Sequence, residues 1–221
     1  MSKFGKEYVL STPLSEEDVR QLKSGDILYI HGDIWSARTR VMKKFVDNHE
    51  PLPIDTSRLN VMITAGEGLK PVDKEHTLWD PNPFGSTMGL RFEKWFPGLI
   101  RDAGLRAVIT KGNTGPGTRE ACVKHGCVQL SPFGWKPHFA DVLKEKVKDS
   151  EIFWREGGMM EALIVYHLGN TGPWVVNVDT AGNVMYNNLY RPLKRRLKSI
   201  YRDTGIPEDF RYTSLDQVEK L

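Results

Sequence analysis

Cysteine is nearly absent from this 221-residue chain, which has two, Cys122 and Cys127. Their spacing is neither a Cys-x-x-Cys redox pair nor half of a four-ligand zinc site, and two thiols cannot supply the usual cysteine set of an iron–sulfur cluster. Long apolar runs are missing as well: none approaches the ~20 residues a membrane helix needs. The stretch Met1–Lys6 lacks the apolar segment and small-residue cleavage site of a signal peptide, so a cytoplasmic location is expected. An excess of one charge is also missing. Lys and Arg number 31 against 28 Asp and Glu, and the resulting +3 is too small to mark a nucleic-acid protein by itself. The six histidines show no His-Glu-x-x-His or other ligand spacing, which argues against a metal held by this chain alone.

What is present is ordinary globular material. Hydrophobic residues make up 39% and charged residues 27%, proportions that exclude disorder, collagen and coiled coil. The length suits one compact α/β domain over residues 1–221, with no repeat or linker. Ser15, Asp18 and Gly25 bracket a capped helix over 15–25. The β-branched runs 26–31, 59–65, 106–110, 127–130, 163–168 and 174–178 read as strands. Helices are expected over 36–48, 85–103 (Trp95, Leu99 and Ile100 on its core side), 118–125, 139–147 and 192–202. The stretch from Gly66 to about Phe84 reads as irregular and proline-rich.

Several motifs could carry chemistry. The loop Gly112–Gly117 follows a strand and precedes a helix, an arrangement whose backbone N–H groups can hold an anion, although a plain strand–helix turn explains it equally well. It is not a Walker loop, because Lys111 precedes the glycines. A strand-end lysine faces the crevice where α/β sheets bind ligands. If a helix starts near Thr87, then Thr87 and Arg91 share a face; taken alone, Thr87 is an N-cap and Arg38 a solvated charge. The basic run Arg191–Arg202, interleaved with Tyr190 and Tyr201, is a phosphate-binding stretch or, more simply, a solvated or subunit-facing helix.

Taken in order, these segments resemble the β subunit, or C-terminal domain, of iron–sulfur hydro-lyases of the class I fumarase and L-tartrate dehydratase type. The resemblance runs over about residues 14–190, leaving 191–221 as a basic helical extension. It rests on Leu22-Lys23-Ser24-Gly25-Asp26, Ala37-Arg38 and Leu52-Pro53. Gly85-Ser86-Thr87-Met88-Gly89-Leu90-Arg91 is similar to the family's Gly-Pro-Thr-Thr-Ser-x-Arg, and Lys111-Gly112 to its Gly-Lys-Gly. Glu156–Ala162 and Val178–Asn183 resemble its closing signature.

The resemblance implies a swivelling β/β/α domain. It also implies a partner α subunit, in an α2β2 assembly, that holds a [4Fe-4S] cluster through three cysteines, with one iron acting as Lewis acid on the substrate hydroxyl. Arg38, Arg91 and Lys111 then correspond to carboxylate-binding cations, and Thr87 to the hydroxyl that takes the C3 proton, so Thr87 and Lys111 form the catalytic pair. The implied substrate is a small hydroxy acid or unsaturated dicarboxylate, of the fumarate/malate or tartrate kind, with neither membrane nor nucleic acid as partner. Thr39 and Met42 stand where the family has an acid and a histidine, and Pro132-Phe133-Gly134-Trp135 replaces a glycine pair; these changes are expected to make the site less polar. They leave a second reading, a non-catalytic anion- or nucleic-acid-binding protein that keeps the fold.

Overall fold

The computed structural model describes residues 5–71, 79–132, 147–207 and 209–210. The short apolar runs form strands because burying them takes water from their backbone N–H and C=O groups, which a sheet ladder then pairs. Among the described residues the strands are β1 (Glu7–Ser11), β2 (Ile27–His31), β3 (Ile34–Ser36), β4 (Val61–Ile63), β5 (Ala65–Pro71), β6 (Trp79–Ser86), β7 (Ala107–Ile109), β8 (Val128–Pro132), β9 (Val147–Phe153), β10 (Leu163–Leu168) and β11 (Asn170–Val178). The helices are α1 (Glu16–Arg20), α2 (Thr39–Met42, continued by a π-helical turn, Lys43–Asp47), α3 (Phe96–Asp102), α4 (Pro116–His125) and α5 (Met185–Asp203). Among the described residues no helix is long and apolar enough to cross a membrane.

Nine of the strands form one sheet in the order β1-β2-β11-β8-β7-β4-β3-β10-β9, and β5 and β6 form a separate antiparallel pair. The neighbours β8, β7, β4 and β3 run parallel. Two short links show that the large sheet is curled. The β2 strand lies five places from β3, about 24 Å if the sheet were flat, yet only Gly32 and Asp33 join them. Three Cα steps reach at most ~11 Å. Likewise Gly169 alone joins β10 to β11, and Gly32 N–H donates to Gly169 O at 3.2 Å, tying the two links together. Gly32 has φ +110°, and a Cβ there would lie 2.4 Å from Thr12 Oγ1, so this link needs glycine.

Alternation along the central strands feeds two cores. Val61, Ile63, Ala107, Ile109, Ile34 and Ile164 enter a core built mainly by strands and α1, inside the curl. Their neighbours Met62, Val108, Trp35 and Val165 enter a second core against α2, α3 and α4. Burial on both faces is why these strands read as continuous apolar runs. The curled sheet, the extra strand pair and the outer helices bear out the expected α/β class and its β/β/α form.

Several elements differ from the sequence-based expectation. The edge strand β1 was not anticipated, and Ser36 ends β3 instead of opening a helix. The stretch after Gly66 forms the β5–β6 hairpin rather than irregular chain. The capped first helix is real, with Ser15 and Asp18 forming a capping box, but it ends at Arg20. The expected helix over 139–147 falls mostly outside the described residues, although Val147 opens β9. Pro192 sits inside α5, which starts at Met185.

The curl closes near a histidine with a pH-dependent role. His167 Nδ1 lies 3.1 Å from Asp33 in the β2–β3 link, and its Nε2 lies 3.1 Å from Glu151 on β9. Burial opposes the ring's charge, but hydrogen bonding and charge from Asp33, then from Glu151, outweigh it and raise the His167 pKa above its ordinary value. The charged ring is therefore favoured in the folded state. Its stabilisation is complete below the unfolded value of 6.5 and is lost as pH rises through the higher folded value. Thermal unfolding should show a larger fall in Tm between about pH 6 and about pH 8 in the wild type than in His167→Gln. Equal falls would contradict this role.

Candidate functional site

The carboxyl ends of parallel strands are where α/β sheets gather ligand-binding groups, because side chains there leave the sheet into a crevice. Arg38 follows β3, Thr64 follows β4 and Lys111 lies just past β7, on three adjacent strands. Arg38 and Lys111 are thus about two strand spacings, ~10 Å, apart at the backbone.

Thr87 is inserted into this row. Its N–H donates to Thr64 O at 2.6 Å, and its carbonyl accepts from Lys111 N–H at 3.1 Å. Met88 and Lys111 then form a parallel β-bridge, and Gly89 N–H donates to Lys111 O at 2.9 Å. A 3₁₀ turn, Gly89–Phe92, carries Arg91, whose N–H donates to Met88 O at 3.2 Å. The structure therefore joins Thr87, Lys111 and Arg91 in one hydrogen-bonded unit. It does so without the helix expected to begin at Thr87: Met88, in an extended conformation, is the N-cap of the turn, and the relation of Thr87 to Arg91 comes from that turn. The expected core side of the following helix does hold, with Trp95, Leu99 and Ile100 buried around α3.

Arg38 reaches the same edge from the N-cap of α2. Its side chain is 14% exposed, with Nε 3.7 Å from Glu161 Oε1. Nη1 donates to Met160 O at 3.4 Å, and Nε is buried without a hydrogen-bond partner. Glu161 Oε2 is already engaged, accepting from Arg40 N–H at 2.9 Å at the start of α2. Arg38 is thus a half-satisfied guanidinium. Lys111 and Arg91 are exposed, and among the described residues neither forms an ion pair.

Three exposed apolar side chains flank these cations: Met88 at 53%, Leu90 at 38% and Met160 at 47%. The apolar replacement expected at Met42 lies elsewhere, fully buried in the helix-side core. Thr39 opens α2 next to Arg38. Of the replaced glycine pair, residues 133–135 lie outside the described residues.

The anion cradle expected at Gly112–Gly117 has a tenant from this chain. Glu93 accepts from Gly115 N–H at 2.7 Å and from Thr118 N–H at 2.9 Å, so its carboxylate occupies the N-terminus of α4. A Cβ on Gly115 would lie 2.6 Å from Glu93 Cδ, which explains glycine there. An external anion would have to displace Glu93, and the loop alone therefore does not support a phosphate site.

Sequence reasoning also missed the polar layer beneath the site. Thr64 and Thr110, both fully buried, hydrogen-bond each other at 2.9 Å. Gln129, Ser131 and Asn177 continue the layer under the carbonyls of Thr110 and Gly112. The available signal was the repeated Ile-Thr ending of two buried strands. Gly89 fits closely over this layer, since a Cβ there would stand 2.9 Å from Thr110 Cγ2 and 2.8 Å from Asn113 O. The serine of the motif it resembles would not fit beside Thr110.

The cysteines do not make a cluster site. Both are free and fully buried, and burial first, then hydrogen bonding with Cys122, pushes the Cys127 thiol well up, away from the thiolate a metal needs. Among the described residues no group of three or more His, Cys, Asp or Glu could hold a metal ion.

Comparison with known proteins places the chain in a family. A family model described as Fumarase C-terminus matches residues 3–189. The L(+)-tartrate dehydratase subunit beta of Escherichia coli (strain K12) is 29% identical over 176 residues, spanning 79% of this chain and 84% of that one. A Geobacillus stearothermophilus protein named "Putative fumarate hydratase class I" is 30% identical over 190 residues, 85% of this chain but 35% of that longer one.

Proposed function

The chain belongs to the Fumarase C-terminus family, and from that premise we propose that it is the β subunit of a two-subunit hydro-lyase. In this reading it is one domain with a basic C-terminal extension, paired with an α subunit in an α2β2 assembly. The reaction is reversible loss of water from a small hydroxy-dicarboxylic acid. The observation that carries the reading is the backbone-joined unit Thr87–Lys111–Arg91 at the strand edge that Arg38 also reaches, which gathers one hydroxyl-bearing and three cationic residues there.

Dehydration requires a proton to leave a carbon next to a carboxylate, whose negative charge then grows in the transition state. Arg38 and Arg91 suit the substrate's carboxylates, since a guanidinium can hold one through two parallel hydrogen bonds. Lys111, fixed by its backbone beside Thr87, stands where the growing charge needs a point cation. Thr87 Oγ1 takes the C3 proton. A threonine hydroxyl is a weak base unless a neighbour accepts its own proton, and we assign that acceptor to a carboxylate of the α subunit.

The residues of this chain do not fit a [4Fe-4S] cluster, which we therefore place on the α subunit. Bound there, it would supply Lewis-acid polarisation of the leaving hydroxyl. Relatives named "subunit beta" support a partner. The exposed Met88, Leu90 and Met160 around the cations support one that covers this edge and keeps water from it. The complex, prepared without oxygen, should convert at least one of tartrate, malate or fumarate, followed by ultraviolet absorbance of the double bond formed or lost. Failure of an intact complex on every small hydroxy-dicarboxylate would contradict the reading.

A further inference from the structure

The strands β4 and β7 end alike, in Ile63-Thr64 and Ile109-Thr110, and both threonines are completely buried. Their hydroxyls converge on one atom, the carbonyl oxygen of Thr87: Thr110 Oγ1 lies 2.8 Å from it and Thr64 Oγ1 lies 3.1 Å from it. The two hydroxyls are 2.9 Å apart. Each carries one proton, and the arrangement that uses both well has Thr64 donating to Thr110 Oγ1 and Thr110 donating to Thr87 O. That carbonyl already accepts from Lys111 N–H at 3.1 Å. The Lys111 N–H already gives this buried carbonyl a partner, so neither hydroxyl is needed to satisfy it; valine has nearly the same shape at either position and would bury no polar group.

We propose that Thr64 and Thr110 are positioning residues that clamp the Thr87 backbone, and through it aim the Thr87 hydroxyl at the proton to be removed. Thr87 is held at its N–H by Thr64 O and at its carbonyl by the hydroxyl relay and Lys111, so its Cα–Cβ direction is fixed relative to the lysine. Proton transfer depends steeply on such placement, whereas capture of the substrate's carboxylates by Arg38 and Arg91 does not involve Thr87. The inference rests on the proposed role of Thr87 as proton acceptor.

The test uses the complex with the α subunit. Thr64→Val/Thr110→Val should lower kcat at least ~10-fold with KM within about twofold, the split expected for misplaced general-base chemistry. In the same variant, amide hydrogen exchange at Lys111 should quicken while that of the core strands does not. Thr110→Ser, which keeps the hydroxyl, should stay close to wild type. Thr110→Val alone should fall between, because Thr64 Oγ1 is near enough to Thr87 O to take over. Wild-type kcat in the double variant, with Thr87→Val inactive, overturns the clamp and leaves the hydro-lyase reading standing. Wild-type kcat in Thr87→Val overturns both. Should the double variant fail to fold, equal kcat in Thr110→Val and Thr110→Ser overturns the clamp.

Discussion

Thr87→Val should lower kcat by at least ~10³-fold and leave KM within about threefold, since a positioned general base contributes ~10²–10⁴-fold and has little part in holding the substrate. Valine keeps the β-branched shape, so the extended backbone between Thr64 and Lys111 should survive with its hydrogen bonds. Only the hydroxyl is lost, and among the described residues that hydroxyl makes no hydrogen bond whose removal could disturb the fold. Steady-state kinetics of the assembled complex, together with an unchanged unfolding midpoint, measures this. A variant with unchanged kcat would remove Thr87 from the chemistry; one with lowered kcat and a collapsed midpoint would make its role structural.

Lys111→Ala should reduce kcat/KM by at least ~10²-fold, the scale of losing one charge contact to the transition state. The side chain is exposed and, among the described residues, unpaired, so its removal strands no partner and should leave stability within about 0.5 kcal/mol. The backbone N–H that holds Thr87 O is retained. A loss confined to kcat would identify a contact made as charge develops, and a loss confined to KM would identify simple carboxylate binding. Wild-type values for both Lys111→Ala and Thr87→Val would dismantle the site.

Part of this arrangement is legible in the sequence because Lys111 lies just past an apolar run. The central strands are buried on both faces, so Val61–Ile63, Ala107–Ile109 and Leu163–Leu168 stand out as continuous hydrophobic segments. Lys111 then follows by position, whereas Arg38 stands out only through the family resemblance. Less legible are elements whose stability comes from tertiary pairing. The edge strand β1 alternates exposed and half-buried residues, and β3 is three residues long with a buried serine. The β5–β6 hairpin runs through prolines that ordinarily argue against a strand.

The Thr87–Arg91 segment misleads in a more specific way. Its spacing suits a helical face, but the Met88–Lys111 bridge keeps the chain extended until Gly89, where the turn begins under tight packing from Thr110 and Asn113. Likewise the glycine-rich loop has the composition of an anion cradle, and only the three-dimensional position of Glu93 shows that the Gly115 and Thr118 N–H groups are taken. The curl of the sheet is hidden for the same reason: it follows from strand order, which two glycine-bearing links make possible and no local pattern announces.

We propose that this chain is one half of a cluster-dependent hydro-lyase. The most direct measurement is isolation from the native source without oxygen, with the mass of the complex, iron and acid-labile sulfide determined together. The expected result is a copurifying second chain with close to four irons and four sulfides per pair, consistent with one [4Fe-4S] cluster that the two cysteines of this chain cannot hold. An iron-free assembly of this chain alone would contradict it.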